Sequence, residues 1–226
     1  MVDQLIQQSP GTISFGQGVV HYGPPDQAKK RLQDFWSDAA HHKYGPILGA
    51  PPLQACIREK LEKENQIDLS NRSIVVTAGS NMGFLNLVLA ITDPGDEVIL
   101  LLPYFFNQEM AVRISGCVPV LVDTDLNYQP VLSRLERAIT SRTRAIVTVS
   151  PNNPTGAVYK ESVLREINAL CLREQIYHIS DEAYEYFTYG GTEHYSPGSA
   201  AEAAGHTISL YSFSKSYGCL LYTSPS

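Results

Sequence analysis

Residues 145–156 read AIVTVSPNNPTG, a near-continuous apolar run that stops at a turn rich in proline and asparagine. Short apolar runs bounded by such turn residues predict strands that are buried on both faces. Strands of this kind are typical of parallel sheets whose faces are covered by helices. The stretch therefore predicts a strand over Ala145–Val149 within an α/β fold.

Runs of the same kind recur from residue 74 onward and alternate with segments of helical periodicity. The other predicted strands are Ile74–Ala78, Glu97–Leu102, Val118–Val122, Ile176–Ser180 and Thr207–Tyr211. The predicted helices are Gln27–Asp38, Leu53–Glu64, Met82–Ile91, Asn107–Ser115, Pro130–Ile139 and Lys160–Glu174. This alternation predicts a mostly parallel sheet with helices on both faces. Residues 1–45 lack it apart from one helix, and predict an irregular arm outside the sheet that can line a cleft.

Composition narrows the classes of partner. The 226 residues carry a net charge of −6 and a hydrophobic fraction of 43%, ordinary for a globular protein. No stripe of Lys or Arg is present, so neither nucleic acid nor a membrane surface is an expected partner. The Lys29-Lys30-Arg31 triplet is expected to be a solvated helix face. The cysteines lack metal-ligand or disulfide spacing and are expected to be reduced thiols of a cytoplasmic protein: Cys56, Cys117, Cys171 and Cys219.

Lys215 follows the last predicted strand, within the run SFSKSYG of residues 212–218. A lysine that is partly buried among small hydroxyl side chains has a lowered pKa, which frees its amine to attack a carbonyl carbon and form a Schiff base. A solvated lysine on a serine-rich loop is the alternative, and this run taken alone does not exclude it.

The run TAGSN of residues 77–81 lies between a predicted strand and a predicted helix. Free backbone N–H groups at a helix start, together with the helix dipole, form an anion site suited to a phosphate. The alternative is an ordinary strand–helix turn in which Ser80 caps the helix.

Polar motifs thus follow several predicted strands in a fixed order: TAGSN at 77–81, SPNNPTG at 150–156, DEAY at 181–184 and SFSKSYG at 212–218. Open α/β sheets bind ligands beyond the carboxyl ends of their strands. In these motifs, and from about Gly16 to Gly218, the chain resembles the fold-type I pyridoxal-phosphate enzymes, specifically the class I/II aminotransferases. The resemblance implies that Lys215 binds pyridoxal 5′-phosphate covalently.

The resemblance also assigns roles around the cofactor. The residues implied to hold its phosphate are Gly79, Ser80, Asn81 and Ser212. Phe105 is implied to stack on the ring, whereas Tyr104 and Phe106 are expected to pack in the core. Asn153 and Tyr184 are implied donors to the ring oxygen O3′. Asp181 is implied to keep the ring nitrogen protonated, so that the ring acts as an electron sink.

Two further residues are carried over with the reaction. Tyr44 matches a tyrosine that reaches the phosphate of a neighbouring subunit, which implies a homodimer. Gly18 matches the segment that meets the substrate carboxylate, and Asn153 is expected to contact the substrate as well. The implied reaction is transamination between an amino acid and a 2-oxo acid. Residues 16–20 and 184–187 resemble a subgroup that acts on aromatic amino acids and methionine.

The family pattern also predicts the domain organisation. Residues 1–45 are expected to form an N-terminal arm and part of a small domain, and residues 46–218 an incomplete large cofactor-binding domain. Residues 219–226 are expected to be a non-native tail, because they back-translate into a sequencing-library adapter. The family carries a phosphate-binding arginine where Thr223 stands here, and a later arginine has no counterpart. A truncated gene product, inactive as a fragment, is therefore expected.

Other functions remain open at this stage. The motifs around Lys215 indicate the cofactor and not the fate of the substrate carbanion, so a C–S lyase or decarboxylase of the same fold is an alternative. A non-catalytic domain that senses the cofactor is another. An unrelated nucleotide-binding or hydrolase domain is disfavoured, because GxGxxG, GxxxxGK[ST] and GxSxG are all absent from the sequence.

Overall fold

A computed structural model of the chain describes residues 2–13, 18 and 20–219. The strands in this part are β1 Glu97–Leu102, β2 Val118–Asp123, β3 Thr143–Val149, β4 Tyr177–Asp181 and β5 Thr207–Leu210. They form one sheet in the order β2-β1-β3-β4-β5, and every pair is parallel. The predicted parallel sheet is confirmed.

The helices of the described residues lie close to their predicted bounds, except for the first helix, which was not predicted. They are α1 Val2–Gln8, α2 Asp26–Phe35, α3 Pro51–Lys63, α4 Gly79–Ile91, α5 Phe106–Ile114, α6 Leu132–Ala138 and α7 Glu161–Glu174. Short 3-10 helices cover Ala39–His42, Pro197–Ser199 and Ala201–Gly205. Within the described ranges, no helix has the length and apolar character needed to cross a membrane.

Alternate residues of each strand face opposite layers, as the two-residue period of a strand requires. Ile99 and Ile146 pack toward α6 and α7, in a cluster with Leu135 and Ile167. Their strand neighbours Val98 and Val147 pack toward α4 and α5, in a cluster with Phe84 and Val112. Full burial of one such side chain stabilises the fold by roughly 1.5–3 kcal/mol, so both layers hold the sheet in place.

One predicted strand was wrong. Residues 74–78 are assigned to no strand, and among the described residues β5 pairs only with β4. The backbone polar groups of this segment find partners elsewhere. The Val76 N–H donates to the Leu48 carbonyl at 3.0 Å, and the Gln54 side chain donates to the Ile74 carbonyl at 3.0 Å. The apolar pattern therefore reports burial of Ile74 against α3 and not sheet pairing.

The N-terminal region contains a helix that its weak periodicity did not predict, α1, in which Leu5 is 59% exposed. The predicted solvated face of α2 is confirmed, since residues 29–31 are all exposed. The four cysteines are free thiols. Most of the expected non-native tail, residues 220–226, lies outside the described residues, as do residues 14–17 and 19.

A buried polar cluster joins α7 to the edge of the sheet. Asn168 is fully buried, and its Oδ1 accepts a hydrogen bond from Thr207 Oγ1 at 2.5 Å. His206 Nε2 and His178 Nδ1 lie 3.1 and 3.2 Å from the same oxygen. Burial lowers the pKa of His178 to about 3, so this imidazole is neutral and its hydrogen bonds carry no net charge.

We expect Asn168→Ala to destabilise the chain by about 2–4 kcal/mol, because it leaves several buried polar groups without their partner. Urea unfolding followed by circular dichroism measures this free energy. Glu166→Ala is the matched control: Glu166 lies on the exposed face of α7, and its loss should change the stability by less than about 0.5 kcal/mol. Equal effects of the two substitutions would contradict the assignment.

Candidate active site

The turn after β3 fixes one asparagine and presents the next. Asn152 is buried, and its Oδ1 accepts hydrogen bonds from the Thr155 N–H at 3.2 Å and from Thr155 Oγ1 at 2.8 Å. Its carbonyl accepts from the Gly156 N–H at 2.8 Å. Asn153 is only partly buried, and its side chain hydrogen-bonds Tyr184. The turn thus places the Asn153 side chain against Tyr184, in the segment that follows β4.

Asp181 is the last residue of β4, and its side chain is nearly fully buried at 7% exposure. Gln108 of α5 donates to Asp181 Oδ2 at 2.8 Å, and the Ala183 N–H donates to Oδ1 at 3.2 Å. Burial raises the pKa of Asp181 to about 6, and these two hydrogen bonds oppose the rise. The carboxylate is therefore held in a place that disfavours its charge unless a cation is supplied.

Gln108 was missed by the sequence analysis. Gln108 lies in α5 and is 2% exposed. In the sequence it looks like any other polar residue of a helix. Its contact with Asp181 spans 73 positions of the chain, and no local pattern indicates such a pair.

Tyr184 is the residue of the candidate site that interacts with both Asp181 and Lys215. Burial raises the pKa of Tyr184, the charge of Asp181 raises it further, and the hydrogen bond to Asn153 opposes both. The Lys215 Nζ lies 5.6 Å from the centroid of the Tyr184 ring. A protonated phenol therefore stands within reach of both the buried carboxylate and the lysine amine.

Lys215 is half-buried, and its amine is held by the N-terminal arm. Its Nζ donates to the Gly18 carbonyl at 2.8 Å. Burial lowers the pKa of Lys215, which favours the neutral amine. A Cβ on Gly18 would lie 3.6 Å from Tyr184 Oη and 3.7 Å from Lys215 Nζ. The missing side chain leaves room at the point where the amine and the phenol converge, and the alternative of a freely solvated lysine is wrong.

The N-terminal arm also contacts the backbone of residues 215–218. Tyr22 Oη donates to the Lys215 carbonyl at 3.1 Å. Gly218 has a φ of +61°, and a Cβ there would lie 2.8 Å from the Gly23 carbonyl carbon, closer than side chains tolerate. Within the described part of the arm, Gly18, Tyr22 and Gly23 therefore lie against the segment around Lys215, although Tyr22 and Gly23 were not singled out by sequence.

The first turn of α4 contains Gly79, Ser80 and Asn81, because the helix begins three residues earlier than predicted. Ala78 is the N-cap residue and provides no side-chain cap, so the alternative in which Ser80 caps the helix is wrong. A Cβ on Gly83 would lie 3.6 Å from Leu210 Cδ2, which places this turn beside the end of β5. Ser212 follows two residues later and accepts a hydrogen bond from the Ser214 N–H at 3.1 Å.

The predictions for the aromatic residues have different outcomes. Phe105 precedes α5 and is partly buried, with its ring centroid 5.2 Å from that of Phe106. Tyr104 packs against the α4–α5 side of the sheet, as expected. The expectation for Phe106 was wrong: it is 62% exposed, because it is the first residue of α5 and faces outward. Tyr44 is fully exposed, and no contact described for residues 20–219 joins it to the other candidates.

A sequence model of the family described as aminotransferase class I and II matches residues 10–220. The chain belongs to this family, whose members depend on pyridoxal 5′-phosphate.

Individual relatives agree with this assignment. The chain is 41% identical over 217 residues to a probable aspartate/prephenate aminotransferase from Aquifex aeolicus, covering 95% of this chain and 55% of that protein. It is 33% identical over 225 residues to aromatic aminotransferase ISS1 from Arabidopsis thaliana, covering 97% and 55%. The chain therefore spans about half the length of the curated relatives it matches.

Solved structures give the same picture. The aspartate aminotransferase of Thermus thermophilus with maleate superposes with a TM-score of 0.87 at 35% identity, over 97% of this chain and 57% of that chain. An aromatic aminotransferase from Pyrococcus horikoshii superposes with a TM-score of 0.85 at 30% identity, over 96% and 59%. The fold is thus that of fold-type I aminotransferases, present here in part.

The described side chains fit the cofactor of this family. A half-buried amine that favours its neutral form suits a reactive aldehyde. A buried carboxylate with a raised pKa suits a cationic ring nitrogen, and a phenol beside an amide suits a ring hydroxyl. The opening left by Gly18 lies among these groups.

We expect Asp181→Asn to stabilise the cofactor-free chain at pH 8. A rise of the Asp181 pKa from 3.8 to about 6 makes the folded state lose stability as pH increases through that window, by roughly 3 kcal/mol. Asparagine removes this loss, so the variant should gain about 1–3 kcal/mol at pH 8 and nothing below pH 4.

Urea unfolding of the two proteins across this pH range checks the expectation. Asp34→Asn, at a side chain 69% exposed on α2, serves as the control and should show no such pH dependence. A gain for Asp181→Asn that is the same at every pH would refute the electrostatic origin.

Proposed function

We propose that this protein carries out transamination between an amino acid and a 2-oxo acid with pyridoxal 5′-phosphate bound to Lys215. The observation that carries the proposal is the convergence of the Lys215 amine and the Tyr184 phenol at Gly18. Tyr184 in turn lies beside the buried Asp181. A solvated lysine or a structural aspartate needs no such arrangement.

Lys215 is the residue that reacts. Its lowered pKa increases the share of neutral amine at neutral pH, which is the form that attacks a carbonyl carbon. With the cofactor and a substrate bound, a neutral Nζ could take the proton from the substrate Cα, hold it as an ammonium, and give it back as a general acid. One side chain thus serves as covalent anchor, general base and general acid.

Asp181 would hold the ring nitrogen. Gln108 and the Ala183 N–H orient its carboxylate, which would keep a proton on that nitrogen as an ion pair and so offset the cost of its own burial. When bound, the cofactor supplies an electron sink for the negative charge that develops at the substrate Cα. Tyr184 and Asn153, which hydrogen-bond each other, would donate to the ring oxygen O3′.

The remaining residues position the two ends of the ligand. The first turn of α4, with Gly79, Ser80 and Asn81, would hold the phosphate, and Ser212 would add a hydroxyl. The Gly79 N–H already donates to the Thr77 carbonyl at 2.8 Å, so the backbone donors of this turn would be those of Ser80 and Asn81. Phe105 packs on the ring face. Gly18 and Asn153 border the place of the substrate carboxylate, which follows from the opening at Gly18 and the position of Asn153 beside Tyr184.

We further propose a homodimer in the cytoplasm. Tyr44, fully exposed in one chain, supports a role across a subunit boundary, where it would reach the phosphate of its partner. Free thiols support a reducing compartment. The proposed division of the chain is an arm with part of a small domain up to residue 45, followed by the cofactor-binding domain from residue 46.

The strongest test replaces the lysine in protein expressed from its complete reading frame. Lys215→Ala should abolish the visible absorbance of lysine-linked cofactor and reduce turnover by at least about 10⁴-fold, because the anchor and the proton carrier are lost together. Absorbance spectra and a coupled 2-oxo acid assay measure both effects. Lys160→Ala, at an exposed lysine before α7, should leave them unchanged. Normal turnover of Lys215→Ala would rule out the proposal.

A panel of amino donors tests the substrate class. We propose an aromatic or methionine donor, which the segments at residues 16–20 and 184–187 support together with the name of the Arabidopsis relative. The expected result is a kcat/KM for phenylalanine or methionine at least about ten-fold above that for aspartate. The reverse order would favour an aspartate-type enzyme, and turnover without any 2-oxo acid acceptor would favour a lyase.

A further inference from the structure

Three candidate cofactor residues have an immediate neighbour in the sequence that takes part in a separate set of buried contacts. These neighbours are Glu182 after Asp181, Glu185 after Tyr184, and Tyr211 before Ser212. Asp181 ends β4, where adjacent side chains point to opposite sides. Glu185 lies in the turn that follows, where its N–H donates to the Glu182 carbonyl at 3.0 Å. The side chains of Glu182, Glu185 and Tyr211 all belong to one buried polar cluster.

We call this set the Lys60 cluster: Lys60, Asn65, Glu182, Glu185, Ser196 and Tyr211. Lys60 Nζ lies 2.5 Å from Glu185 Oε2 and 2.7 Å from Asn65 Oδ1. Asn65 Nδ2 donates to Glu185 Oε2 at 2.9 Å and to Ser196 Oγ at 2.8 Å. Ser196 Oγ donates to Glu182 Oε2 at 2.5 Å. The chain of contacts runs unbroken from α3 to the end of β4.

Lys60 also contacts Tyr211, the residue before the run SFSKSYG that contains Lys215. The Lys60 Nζ lies 4.5 Å from the centroid of the Tyr211 ring, a cation–π distance. The Tyr211 hydroxyl is buried, and burial raises the pKa of Tyr211 well above its ordinary value. One ammonium group therefore touches the residue after Tyr184 and the residue before Ser212.

The charge of Lys60 gives these contacts their strength. Its side chain is 19% exposed and that of Glu185 is 10% exposed, so the pair is shielded from water. A buried carboxylate without its cation is costly, and the chain around it moves to find water. The placement of residues 184–186 thus depends on Lys60.

We propose that Lys60 is a positioning residue for the cofactor, which through Glu185 and Tyr211 sets where Tyr184 and Ser212 stand. The inference rests on the proposed function, because it gives those two residues cofactor contacts. Lys60 touches neither cofactor nor substrate and acts only through its neighbours.

The experiment compares Lys60→Met with the double variant K60M/E185Q, in protein expressed from the complete reading frame. Three quantities are measured: the urea midpoint, the dissociation constant of pyridoxal 5′-phosphate, and the pH midpoint of the lysine-linked absorbance. The double variant removes the Lys60–Glu185 ion pair as a whole, while Glu182 keeps its contacts with His194 and Ser196, so it should recover most of the stability lost in Lys60→Met. Its cofactor dissociation constant should still rise about ten-fold, as for other outer partners of a site. Its pH midpoint should rise by about half a unit, because Tyr184 donates less well.

Lys63→Met is the matched control. Lys63 pairs with Glu59 at 2.6 Å on the same helix, but the side chains are 73% and 62% exposed. Its loss should change none of the three quantities. A K60M/E185Q protein with wild-type cofactor affinity and pH midpoint would overturn the positioning role and leave Lys60 a stabilising residue. A wild-type protein that forms no lysine-linked absorbance would instead refute the proposed function, and the two failures are thereby distinguished.

Discussion

The parallel pairing of β3, β4 and β5 is the constraint on which the candidate site depends. Val149 pairs with Asp181, and Asp181 pairs with Leu210, so the three strands end level with one another. The ladder continues past the strands, because the Ser150 N–H donates to the Asp181 carbonyl and the Glu182 N–H donates to the Leu210 carbonyl. Segments far apart in sequence therefore leave the sheet at one edge. Since backbone hydrogen bonds fix their positions, the side chains beyond the edge need not hold the fold together and are available for chemistry.

Two residues of the candidate site, Asp181 and Lys215, are buried at a cost in free energy to the folded chain. Burial disfavours the charged form of both Asp181 and Lys215, raising the pKa of the first and lowering that of the second. A protonated ring nitrogen would favour the charged carboxylate, and an aldehyde carbon would react with the neutral amine. Sites that oppose the preferred charge of their own residues are common where a ligand completes the structure. The same opposition explains why Gln108 is needed, since without its hydrogen bond the buried carboxylate would be still less able to ionise.

Much of the sheet and the arrangement of the motifs could be predicted from sequence, because both depend on local patterns. Apolar runs mark strands, and turn residues mark their ends. Residues 74–78 show the limit: the same pattern reports burial, but a strand also needs a partner, and within the described chain that segment has none. Gln108 and Lys60 show a second limit. In the run REKLEK, Lys60 and Lys63 look alike, yet one is 19% exposed beside Glu185 and the other 73% exposed. Only contacts across 125 positions of the chain distinguish them.

The groups around Lys215 come from two parts of this chain. The carboxyl ends of the strands lead to the amine, the carboxylate and the donors, whereas Gly18 and Tyr22 of the N-terminal arm face the lysine and its backbone. The Gly18 carbonyl accepts the hydrogen bond of the Lys215 amine, so that bond would be lost if the nitrogen gave up its hydrogens to form a carbon–nitrogen double bond. The position of the arm is therefore coupled to the state of the lysine. A substrate carboxylate that meets Gly18 would act on the same contact, so binding and the release of the amine would be linked through a single backbone carbonyl.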